Sequence, residues 1–176
     1  MTKNRTYDPT TDSWHAQSDR VVVSSASILR PGDTTQYTAN DQVGGTALEF
    51  ADMASYKGGG GVVVDVVAIS SARQAVAPNQ RLILFSGSPT VVADNATMQP
   101  AVADSLLYLG HIELSSWEGL GTAVGTASQN VCHARGTIDM GYRCATGQTS
   151  LWGLVKEAGT YTPVAAETFT YKIKIK

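Results

Sequence analysis

Cysteine is scarce in this chain: Cys132 and Cys144 are the only two in 176 residues, which is too few for a disulfide framework. The pair flanks a Gly-rich segment and would meet if that segment folded as a hairpin, although a cytosolic product keeps its thiols reduced. Charge is scarce too, with 16% Asp, Glu, Lys and Arg against roughly 25% in an ordinary soluble domain. So much neutral surface is expected if other subunits cover part of it. The formal net charge of −2 argues against a nucleic-acid binder, which carries a basic patch and a high pI. No run approaches the ~18 apolar residues of a membrane-crossing helix. The first twenty residues, MTKNRTYDPTTDSWHAQSDR, lack the apolar stretch of a signal peptide. The expectation is a product that stays in the cytoplasm where it is made, unless it leaves inside a larger particle.

What the chain does have is strand pattern. It ends on TFTYKIKIK, and strict alternation is the period of a β-strand, whose successive side chains point to opposite faces. Phe169, Tyr171, Ile173 and Ile175 therefore share one face, which needs a core to cover it. Lys172, Lys174 and Lys176 share the other, free to meet water or a partner, or to discourage edge-to-edge aggregation.

Upstream, RVVVSSASI (20–28) reads as a strand and RPGDT (30–34) as a turn. TALEFADMA (46–54) begins like a strand. KGGGG (57–61) reads as a flexible connector into VVVDVVAISSAR (62–73), a central strand. RLILFSGSP (81–89) and LLYLGHIEL (106–114) are strands around a loop in which Pro100 starts a short helical turn. GLGTAVGTASQ (119–129) reads as a loop, and 130–144 as one or two short strands. Segments 149–163 and 166–176 make a last pair. With roughly seven to nine short strands and no long amphipathic helix, the chain reads as all-β, a single-domain β-sandwich, jelly-roll-like, over 20–176. Residues 1–19 show no strand or helix period and read as an extended N-terminal arm.

A search for chemistry finds little. The three histidines fall apart: His15 in the arm, His111 in a strand, His133 beside Cys132. Cys132, His133 and Cys144 lack the paired spacing of zinc motifs. KGGGG lacks the Lys-Ser/Thr and following helix of a phosphate loop. Ser86 and Ser88 in FSGSP lack the nucleophile-elbow spacing. Asp94 with Asp104, or Glu113 with Glu118, would serve glycoside hydrolysis only if the fold converged them. Trp14, Trp117 and Trp152 would make a sugar-stacking platform if exposed together, with Trp152 the one expected in the core. No catalytic, metal or cofactor residue is assigned.

The stretches LILFSGSPTVVADNATM (82–98), LLYLGHIEL (106–114) and LWGLVKEAGTYTPVAAETFTYKIKI (151–175) carry, in order, a Phe-x-x-x-Pro turn, an Ala-Asp-Asn-Ala loop, a Tyr-Leu-Gly strand and a closing hairpin with a Tyr-Thr-Pro turn. In this order they resemble small all-β virion proteins of tailed bacteriophages, nearest to head decoration, or cement, proteins. The resemblance implies a jelly-roll-like homotrimer on the outer surface of the head, bridging subunits of the major capsid protein, and neither nucleic acid nor membrane as partner. Lys172, Lys174 and Lys176 on the terminal strand, with Arg5, Tyr7 and Trp14 in the arm, are the expected partner-binding residues. The alternative is a tail or fibre accessory module that binds host glycans. A small hydrolase would need some of His111, His133, Asp94 and Asp104 to converge in one pocket.

Overall fold

The computed structural model describes residues 5–8, 13–16, 21–72, 76–120 and 129–176; the side chains of 5–8, 13–16, 120 and 129–137 lie outside that description. Among the described residues, eleven strands and one 3₁₀ turn follow in the order β1 (Arg5–Asp8), β2 (Ser13–Ala16), β3 (Val22–Leu29), β4 (Leu48–Phe50), β5 (Gly60–Ser70), β6 (Gln80–Phe85), η1 (Val102–Leu106), β7 (Tyr108–Leu114), β8 (Trp117–Leu120), β9 (Gln129–Arg143), β10 (Leu151–Glu157) and β11 (Thr168–Ile175). The fold is all-β. One antiparallel sheet runs β4-β10-β6-β7 and a second runs β3-β11-β5-β9-β8. No described helix is long and apolar enough to cross a membrane.

Period-two alternation builds both layers. Inward rows from the five-stranded sheet (Ile28; Val63, Val66, Ala68; Phe169, Tyr171, Ile173, Ile175) meet inward rows from the other (Leu48, Phe50; Leu82, Leu84; Ile112, Leu114; Leu151, Val155) in one shared core. Each large side chain buried there contributes about 1.5–3 kcal/mol. This is a sandwich-like arrangement of two sheets about one interior. A second, smaller cluster lies on the outer side of the four-stranded sheet, where Met98 and the partly buried Leu107 pack on Phe85, Leu154, Ile83 and Trp152. The loop carrying η1 thus covers part of that sheet from outside. The turn begins at Val102 with Ala101 as its N-cap, so Pro100 precedes the cap instead of opening the turn as expected.

Several expectations change. The last two segments are not a pair: β10 lies between β4 and β6, whereas β11 lies between β3 and β5 in the other sheet. Their connection crosses between layers because the inward rows of both strands are needed on opposite sides of the core. The terminal strand is accordingly internal, not an edge. The weak region 130–144 is a single long strand, β9. Its register against β5 jumps from Val63↔Met140 to Asp65↔Arg135, so residues 136–139 bulge out opposite Val64.

KGGGG is not a loose connector. A Cβ on Gly60 would lie 2.2 Å from the Tyr142 carbonyl oxygen, and one on Gly61 would lie 2.9 Å from the Lys176 carbonyl oxygen. Glycine is required there because β5 starts wedged between the ends of β9 and β11. Cys132 sits within β9 opposite Ala68, and Cys144 lies just past the far end of that strand. Most of a strand length separates them, far beyond the roughly 4–7 Å between Cα atoms that a disulfide spans. Cys144 is a free, buried thiol, whose pKa burial raises.

At the N-terminus, where the sequence shows no period, β1 and β2 pair antiparallel, with Tyr7 opposite Trp14. Among the described residues, they join neither large sheet. The expected loop over 119–129 falls mostly on 121–128, outside the described residues, while Gly119 and Leu120 belong to β8.

Candidate functional site

The terminal strand shows the expected alternation. Phe169, Tyr171, Ile173 and Ile175 are buried, and Lys172, Lys174 and Lys176 are exposed. Because β11 is internal, its lysines stand on a broad face instead of a rim. Register places Lys172 between Ser25 of β3 and Val67 of β5, Lys174 between Val23 and Asp65, and Thr170 between Ser27 and Ile69. Ser27 Oγ and Thr170 Oγ1 hydrogen-bond at 2.8 Å. Val23 and Leu29, on the same outward row of β3, are 60% and 70% exposed. Val67, Ile69 and Asp65 are half-buried among these neighbours. Over β3, β11 and β5 the outer face of the five-stranded sheet is thus a mixture of aliphatic, hydroxyl, carboxylate and ammonium groups.

Lys176 stands slightly apart. Its backbone N–H donates to the Val62 carbonyl at 3.0 Å, which ties the terminus to β5. Its ammonium lies 3.9 Å from Asp139, and both side chains are mostly exposed, a geometry that contributes little to stability. Across β5, His133 and Arg135 occupy the register positions opposite Val67 and Asp65. The expected arm residues Arg5, Tyr7 and Trp14, with His15, fall in β1 and β2, and their side chains lie outside the described residues. The same holds for His133 and Cys132.

The carboxylates weighed for catalysis have other work. Asp94 accepts from Arg30 Nη2 at 3.0 Å, from the Tyr37 hydroxyl and from the Gly44 amide. The Arg30 side chain is fully buried; it also donates to the Tyr37 hydroxyl, and its guanidinium carbon lies 4.6 Å above the Tyr37 ring. Burial, and next the bond to Asp94, push the Tyr37 hydroxyl well above its ordinary range. Asp104 accepts from the Thr90 amide at 3.1 Å and the Ala101 amide at 2.8 Å, holding η1. Both acids thus brace backbone and side-chain donors of the fold.

On β7, His111 Nδ1 lies 3.1 Å from the Tyr108 hydroxyl, and its Nε2 lies 3.4 Å from Glu113. Glu113 also pairs with Arg81 at 2.6 Å. These groups are exposed on the outer side of the four-stranded sheet, away from Asp94. Among the described residues, no three His, Cys, Asp or Glu side chains could hold a metal ion. Trp117 packs edge-on to Phe169, centroids 6.4 Å apart, and donates to the Leu114 carbonyl. Trp152 belongs to the small outer cluster of the other sheet rather than to the main core. The described tryptophans therefore form no shared platform.

The sequence reading passed over two features. One is the Arg30–Tyr37–Asp94 network, which was legible: Ile28 points inward, and period two carries Arg30 inward with it. The other is the exposed aliphatic row of β3, visible only once β3 is known to be an edge. No protein-family model matches the chain, and no curated protein matches it.

Proposed function

We propose that the chain is a structural virion protein that decorates the head of a tailed phage, a cement protein whose five-stranded sheet lies against the outer surface of the shell. One observation carries this reading. The chain's own η1 loop packs on part of the outer face of the four-stranded sheet, whereas the described part of the outer face of the five-stranded sheet bears Lys172, Lys174 and the exposed Val23 and Leu29. An exposed row of ammonium and aliphatic groups on one broad sheet face suits attachment. In this reading the topology is jelly-roll-like, the partner is the major capsid protein, and residues 1–19 form an arm that reaches a neighbour. The chain acts as a homotrimer, so that three weak contacts combine through multivalency. The lysines meet acidic capsid loops, where complementary charge orients the contact more than it strengthens it.

The test is charge reversal. Lys172→Glu, Lys174→Glu and Lys176→Glu together leave the fold intact, because all three side chains are exposed. Occupancy on purified particles is then expected to fall several-fold and the salt sensitivity of attachment to disappear. Unchanged occupancy returns the lysines to a solvated face.

A glycan-binding tail or fibre module is the second reading, favoured by a groove of about 480 Å³ beside η1 that is lined by Ile83, Phe85, Pro100, Ser105 and Tyr108. Tyr108 is 49% exposed there. Saccharide binding lost in Tyr108→Ala would favour it over the head.

A further inference from the structure

The sheet edge, not its face, carries a second contact. Among the described residues, β3 ends the order of the five-stranded sheet, and residues 21–29, VVVSSASIL, contain no charge and no proline. Natural edge strands are guarded by lysine, proline, bulges or shortness. This one has eight residues in unbroken register with β11, and the lysines stand one strand further in. Val21, Val23 and Leu29 are 56%, 60% and 70% exposed.

Backbone direction shows which groups are open. The Arg30 N–H bonds to the Glu167 carbonyl, and the Ser71 N–H takes the Thr168 carbonyl. Thr168 therefore turns toward β5, while Phe169 and its register partner Ile28 turn toward each other. By the period of two, the even-numbered residues of β3 spend their N–H and C=O on β11. Val21, Val23, Ser25, Ser27 and Leu29 aim theirs out of the sheet.

We propose that β3 pairs antiparallel with β3 of a second copy about a two-fold axis through Ser25, joining two five-stranded sheets edge to edge. That register places Val21 beside the partner's Leu29, Val23 beside the partner's Ser27, and Ser25 beside the partner's Ser25. Both strongly exposed ends of the row thereby cover each other, and no like charges meet. Sliding by two residues leaves Val21 or Leu29 without a partner, and sliding by one turns every side chain to the wrong face. A two-fold contact of this kind uses the same patch on both copies. It stands independently of the capsid reading, which uses the face of the sheet, and a trimer would form through other surface.

The experiment uses the full chain. Ser25→Cys places two thiols at a hydrogen-bonded pair, Cα atoms roughly 5.5 Å apart, within disulfide range. Mild oxidation is expected to link Ser25→Cys into covalent dimers and to leave Ser27→Cys, which faces a valine, unlinked. Ser25→Glu gains a neighbour in Lys172 within its own chain but sets two carboxylates opposite each other across the axis. Its dimer dissociation constant, by light scattering, is expected to rise roughly fivefold, with unfolding temperature retained. The proposal is overturned if the wild-type chain shows no self-association and Ser25→Cys stays unlinked, or if both cysteine variants link equally. It is equally overturned if Ser25→Cys links only after residues 2–19 are deleted, since the chain's own N-terminus then occupies the edge.

Discussion

Glu157 ends β10 with no exposure, opposite Gln80 in register, and its Oε1 accepts from the Asn79 and Gly159 amides. Among the described residues, its Oε2 and the Gln80 Nε2 are buried without hydrogen-bond partners. Burial outweighs the amide bonds and pushes the carboxyl from 4.5 up to about 7. The folded state therefore holds this proton more tightly than the unfolded chain does. Its stabilising effect is full below about pH 4.5 and is lost as the pH rises through 7, a loss on the order of 3 kcal/mol. Glu157→Gln keeps an acceptor and removes the titration. Its unfolding temperature is expected to exceed wild type by several degrees at pH 8 and to match it near pH 4; a parallel pH profile for both proteins would contradict this. The Arg30–Asp94 pair makes the opposite demand. Asp94→Ala leaves the buried guanidinium with its longer contact to Asp33, at 3.5 Å, and is expected to cost about 3 kcal/mol by denaturant unfolding. Adding Arg30→Met is expected to recover much of that loss. Additive costs would show that the pair is not coupled.

At the scale of elements, what was legible was what repeats locally. The alternation from Thr168 to Ile175 told which residues are buried, and Pro100 pointed to a short helical turn, which begins two residues further on. Pairing was not legible, because a strand's neighbours are chosen by distant rows: β10 and β11 are adjacent in sequence yet complete opposite layers. The glycines of 57–61 misled for a related reason. A glycine run reads as freedom when nothing is known of what lies against it, and here the Tyr142 carbonyl lies against Gly60. Gly60→Ala must displace backbone and is expected to cost more than about 2 kcal/mol. Gly141→Ala, whose Cβ would meet nothing within 4 Å, is expected to be neutral or mildly stabilising. Similar chemical-denaturation midpoints for the two would undo the close-approach account of β5. The lysine half of the candidate site was visible from sequence. Its aliphatic half was not, since only the sheet order brings Val23 and Leu29 beside Lys174 and Thr168.

For the whole molecule, the two layers divide labour: one shared core holds the sheets, the η1 loop packs on part of one outer face, and the lysine row of the other is exposed among the described residues. The β1–β2 pair belongs, among the described residues, to neither sheet. Deleting residues 2–19 is therefore expected to leave the unfolding temperature of the isolated protein nearly unchanged while releasing it from particles at lower denaturant. Equal release would deny the arm a part in attachment. The most direct measurement is electron microscopy of virions with and without this protein, with its copies counted per particle. The decoration account predicts extra density over junctions between capsomers, with the sheet bearing Lys172 and Lys174 turned toward the shell. Identical heads in the two samples, or density with the η1 side against the shell, would contradict it.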